Sequence, residues 1–160
     1  MMHAFVFEKV AVLVFPWHEP MEPAEQGARV EVRFLADEPR RGSPSAAQRV
    51  VIDEPVFRAD LFDQLGQPAG NLRSAHFHPM FHGVEPCDRH WRDEIKRDPT
   101  AWLAAELDDL PALLARSGAQ VADAPWLDAD AAALRGAVPA VVAAVESTWA
   151  SVRLEEAGRR

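Results

Sequence analysis

Four of the six histidines fall between positions 76 and 90, and they are the residues best equipped for chemistry. His76, His78, His82 and His90 lie in the stretch AHFHPMFHGVEPCDRHW, with the single cysteine, Cys87, among them. On an extended segment, residues two apart share a face, so His76 and His78 project the same way from Cα atoms about 6.7 Å apart. Two nitrogens bound tetrahedrally to one ion at about 2.05 Å each sit about 3.3 Å apart, a gap that side-chain tilts can close. Pro79 ends the strand, which lets His82 fold back as the expected third metal ligand. Neutral imidazole suits Zn, Fe and Cu, and these are the cofactors the cluster suggests. Three histidines and an open position would describe a catalytic centre. Adding Cys87 or His90 would close it into a structural one.

Gly70 stands six positions before His76, and His78 is followed by Pro79. Over about ten residues this resembles the first cupin motif, a glycine, five residues and then H-x-H. The position of that motif's glutamate holds His82 or Gly83. Its second half has no counterpart, because the chain reads helical after Asp88. The sequence is therefore not assigned to that family.

What positions the histidines is the strand before them. If 56–62 and 71–78 form a hairpin centred near Pro68, Arg58 faces His76, Asp60 faces Ser74 and Val56 faces His78. One face then carries Phe57, Ala59, Leu61, Ala75 and Phe77, and the other carries Arg58, Asp60, Ser74, His76 and His78. A slip of one residue would mix the two sets. Asp60 can orient an imidazole, act as a general base or ligate an ion directly. Arg58 can grip a carboxylate or a phosphate. The catalytic candidates are thus His76, His78 and Asp60, and the ligand-binding candidates are Arg58, Ser74 and Trp17. Trp17 belongs to a proline-rich stretch, Pro16 to Pro23, read as a loop that either covers a pocket or is an ordinary buried connection. The plain alternative is an Arg58–Asp60 surface pair beside ordinary half-exposed histidines.

Further out, the first half of the chain speaks β and the second α. Residues 4–15 are apolar on both faces, as in a doubly covered strand. In 29–35, Val30, Val32 and Phe34 alternate with Glu31 and Arg33. Residues 49–53 and 56–62 read as one strand broken at Pro55, or as two short ones. A short helix is expected from Asp88 to Lys96. Asp98-Pro99 is a helix start, Pro111 a break, Gly118 a stop, and a last helix spans about 128–156 with a bend near Gly136 and Pro139. Strands followed by helices predict an α+β fold. Its N-terminal antiparallel sheet has four to five strands, over about 3–79, and its C-terminal helices, over about 88–157, pack on one face.

With 160 residues, 48% of them apolar and 26% charged, the chain suits one globular domain over 1–160. One cysteine excludes an internal disulfide framework. The net charge of −8 argues against nucleic acid and anionic lipid as partners. The apolar run Val10 to Pro16 falls short of the roughly 20 residues that cross a bilayer, and no secretory signal is read at the N-terminus. A cytoplasmic location without membrane contact follows as the expectation. The expected function is a histidine-rich polar cleft that binds a small molecule, a transition metal or both. Metal-assisted or histidine acid–base chemistry on a small anionic substrate would fit it. The rival is a non-catalytic interaction protein, forming a homo-oligomer or a hetero-complex through an apolar strand or helix.

Overall fold

The structure is a computed structural model that describes residues 1–121 and 123–157. Five strands form one antiparallel sheet in the order in which they occur along the chain: β1 (His3–Val6), β2 (Val10–Glu19), β3 (Glu25–Leu35), β4 (Ile52–Gln64) and β5 (His76–His78). A small hairpin, β6 (Phe81–His82) with β7 (Glu85–Pro86), follows. The helices then come in succession: α1 (Asp93–Arg97), α2 (Pro99–Asp108), α3 (Leu110–Arg116) and α4 (Leu127–Ala157). This is the α+β arrangement the sequence predicts.

Period-two patterning separates the two faces of the sheet. Val12 and Val14 of β2 register with Val32 and Val30 of β3, and these with Phe57 and Ala59 of β4, forming a fully buried apolar face. The helices close over it. On α4, Leu127, Ala131, Leu134, Val138, Val141, Val145 and Thr148 recur at alternating four and three spacing, and all are buried. The Trp149 indole N–H donates to the Leu61 carbonyl at 2.9 Å, tying α4 to the sheet. Asp130 fixes the other end: its carboxylate accepts from the backbone N–H groups of Glu8, Lys9 and Val10. Leu127–Leu154 is long and apolar enough to cross a membrane by length and composition alone, yet its stripe lies in this core.

The helix punctuation follows the expected chemistry. Asp98 caps α2 by accepting from Ala101 N–H, with Pro99 in the first turn. Pro111 does split the following helix, because Asp109 caps a new one that carries the proline in its own first turn. Gly118 takes a positive φ of 80° just past α3.

Several expected boundaries move. Residues 4–15 form a hairpin of β1 and β2, and not one strand. The segment Pro16–Glu19 is strand, paired with Glu25–Ala28, so Trp17 sits on the sheet and not in a loop. Pro16 is tolerated because strand pairing needs only half of the backbone donors along one side. β4 runs unbroken from Ile52 to Gln64, with Pro55 absorbed at an irregularity opposite Arg33. Helix α1 begins at Asp93 rather than Asp88, since His90 first pairs with Phe77 in an extended bridge. Helix α4 runs through Gly136 and Pro139, both of which stand on its exposed side.

Candidate metal centre

The sheet face turned away from the helices holds the polar side chains, and cross-strand register aligns them in two rows. Phe15, Arg29, Asp60 and His76 form one row, and Leu13, Glu31, Arg58 and His78 the next. Arg29, Glu31, Asp60 and Arg58 therefore make a two-by-two array of alternating charge. This corrects the expected hairpin register: His78 and not His76 faces Arg58, and His76 and not Ser74 faces Asp60. The shift is two residues, so both faces keep their members. Its cause is the connection. Asp63 accepts from Gly70 and Leu72 N–H groups, and Asn71 bonds both backbone groups of Gln64, so a structured loop delays strand pairing until His76.

Asp60, His76 and His78 are all buried, and one ligand atom from each lies within 4.8 Å of the other two. The Asp60 Oδ2 atom is 3.3 Å from His76 Nε2 and 3.6 Å from His78 Nε2. Those separations match donor atoms bound tetrahedrally to one ion at about 2.1 Å. The far sides of both rings are fixed as well. His76 Nδ1 lies 2.6 Å from the Ser74 carbonyl and His78 Nδ1 2.6 Å from the Cys87 carbonyl. A carbonyl can only accept, so each Nδ1 carries a proton and each ring turns its Nε2 edge inward toward Asp60. Backbone hydrogen bonds of this kind orient histidine ligands in metal sites. The His76 Nε2 atom is buried without a hydrogen-bond partner.

Two arginines attend the carboxylate. Arg29 Nε donates to Asp60 Oδ1 at 2.6 Å, which leaves Oδ2 to face the imidazoles. Arg58 Nε stands 3.0 Å from Oδ2, and its terminal nitrogen is 3.0 Å from His78 Nε2. Burial by itself would push the Asp60 carboxyl up. Contacts with His76 and His78 and the charges of Arg29 and Arg58 reverse that, holding it well below the usual carboxylate range. Burial lowers the Arg58 guanidinium from its ordinary value, and Asp60 opposes the shift.

The segment after β5 and two tryptophans enclose the array. Trp91 lies over the His76 ring, with centroids 5.1 Å apart, and the Trp17 ring stacks on Arg29 at 3.8 Å. Arg89 reaches back to pair with buried Glu25.

Of the candidates read from sequence, Asp60, His76, His78 and Arg58 come together. Ser74 contributes its main-chain carbonyl, and it precedes β5 instead of pairing with Asp60. Trp17 lies on the same face and packs on Arg29. His82 does not join them: it is exposed on β6, and the third residue beside His76 and His78 is Asp60. His90 packs against Phe77 with centroids 5.4 Å apart, and Cys87 offers the cluster its carbonyl. Sequence reasoning missed Arg29 and the burial of Glu31. Their alternation with Val30 and Val32 was the available signal, since it places them opposite the face that buries the valines. No protein-family model matches the chain, and neither the curated proteins nor the solved structures include a match to it.

Proposed function

We propose that the protein binds a divalent transition-metal ion through His76 Nε2, His78 Nε2 and Asp60 Oδ2. One observation carries the reading: the Nε2 atoms of His76 and His78 converge with a carboxylate oxygen of Asp60 in a buried cluster, each ring held from behind by a backbone carbonyl on its Nδ1. Imidazole nitrogen and carboxylate oxygen are the donor types that hold divalent transition metals, and here they lie within reach of one ion. Two histidines and a carboxylate with open positions suit non-haem Fe²⁺, and His/carboxylate sets also hold catalytic Zn²⁺. The hard oxygen donor disfavours Cu⁺. Three protein ligands leave room for an exogenous one, so the centre serves to bind or activate a small molecule.

The test is elemental analysis after loading with Zn²⁺, or with Fe²⁺ under anaerobic conditions, followed by dialysis. Wild type should retain about one ion per chain, His76→Ala and His78→Ala should lose it, and His82→Ala should keep it. A folded wild type that holds no metal overturns the proposal.

The contact between Arg58 and His78 Nε2 favours a second reading, in which Asp60 and the imidazoles form a metal-free acid–base group. That group would make thermal stability indifferent to both chelator and added Zn²⁺, whereas a bound ion raises it.

A further inference from the structure

The geometry points to a small oxyanion, a carboxylate or a phosphate, as the exogenous ligand of that ion, clamped by the Arg58 guanidinium. The inference rests on the metal reading above and names what fills its open position.

Charge balance is the first argument. Arg29 and Arg58 offset Asp60 and Glu31 across adjacent strands, so the array is neutral by itself. A divalent ion adds two positive charges among side chains of which Asp60 is only 1% exposed, His76 1% and His78 4%. Glu25, a further acid on this face, is already paired with Arg89. Buried charge of one sign must be compensated, and no further side chain of the array supplies the compensation. An anion bound to the ion does.

Arg58 supplies the second argument. Its Nε is buried without a hydrogen-bond acceptor, although Asp60 Oδ2 is 3.0 Å away. Its terminal nitrogen leans on His78 Nε2. An ion that took Oδ2 and Nε2 would claim the two atoms that Arg58 now touches. The guanidinium would then face a like charge with its donors free, and an oxyanion bridging the two satisfies both. The planar fork of arginine matches carboxylate and phosphate oxygens, which a lysine ammonium does not. Arg58 retains 15% exposure beside half-buried Phe81, with 5.8 Å between the guanidinium carbon and the ring centroid, and it is the most exposed of the side chains paired with Asp60.

The test uses full-length protein loaded with Co²⁺, whose visible absorption reports on its ligands. Acetate, oxalate and phosphate are titrated separately, with urea as a neutral control. At least one oxyanion should shift the spectrum to saturation, and which of them does so separates carboxylate from phosphate as the source. Per bound cobalt, affinity should fall at least about tenfold in Arg58→Met. Should that variant not fold, Arg58→Lys, which keeps the charge and loses the fork, should still weaken binding. Cobalt bound at about one per chain with a spectrum that no oxyanion moves overturns the inference and leaves the metal centre standing. Oxyanion binding of undiminished strength in the folded Arg58 variants overturns it equally. Failure to retain cobalt at all sinks the metal centre, and the inference with it.

Discussion

Replacing Asp60 by asparagine preserves the shape of the side chain and removes the charge on which the polar face is organised. Arg29 and Arg58, 10% and 15% exposed, would lose their shared counter-ion. Removing one partner of a buried ion pair costs about 3–5 kcal/mol. The residual exposure of the arginines lowers that figure. So does the new amide, which can donate to an Nε2 lone pair, a hydrogen bond of about 1 kcal/mol. A net loss of about 2–4 kcal/mol at pH 7 is expected, to be read from urea denaturation of metal-free protein followed by circular dichroism. The pH dependence gives a second check. The folded pKa of Asp60 is depressed, so its contribution is fully present above the unfolded value of about 3.9 and fades as pH falls through that value toward the folded one. The stability gap between wild type and Asp60→Asn should therefore be level from about pH 7 to 5 and narrow below about pH 4. A variant as stable as wild type, or a gap that stays constant below pH 4, would refute the claim that Asp60 neutralises two buried guanidinium groups.

Two further substitutions probe what holds the site in place. Asp130→Ala removes the acceptor of three backbone N–H groups at the β1–β2 turn, and should cost about 3–5 kcal/mol by urea denaturation; a loss below about 1 kcal/mol would mean that water satisfies those donors equally well. Gly27→Ala would place a methyl 2.3 Å from the Leu61 carbonyl oxygen, so β3 and β4 must part; a melting temperature lowered by at least about 6 °C, or insoluble protein, is expected, and a melt like that of wild type would show that the strands yield freely.

The parts of the fold that follow from local chemistry were legible. Asp98-Pro99, Pro111 and Gly118 punctuate helices through hydrogen bonds within a few residues, and alternation assigned the residues of 29–35 and 56–62 to their faces. The extent of strands was less legible. Pro16 looks like a breaker in one dimension, but pairing to β3 holds it in the sheet. Of the candidate site, Arg58, Asp60, His76 and His78 could be grouped because alternation and one hairpin were enough. Their register could not be fixed, because it depends on how Asp63 and Asn71 fold the intervening loop. His82 was read as a ligand on nearness in sequence. The structure sets Asp60, which the hairpin had already grouped with the histidines, beside them instead, and it brings in Arg29 from the strand beyond, at a separation that no local pattern reports.

Why this face carries charge at all bears directly on function. Apolar residues would close it at lower cost, since replacing a buried ion pair by packed hydrophobic side chains is often neutral or stabilising. The four charges are at least self-consistent: register sets Arg29 beside Asp60 and Glu31 beside Arg58, and Arg33 also pairs with Glu31 at 2.7 Å. A purely structural account can stop there, with every charge next to its opposite. It does not reach the imidazoles. Asp60 already has two guanidinium partners, so charge balance on this face does not call for two further rings, each held by a backbone carbonyl with its Nε2 edge toward the carboxylate. A cation bound at that point would be coordinated by both rings, and the same two carbonyl contacts would then be the supports that hold the ligands in place.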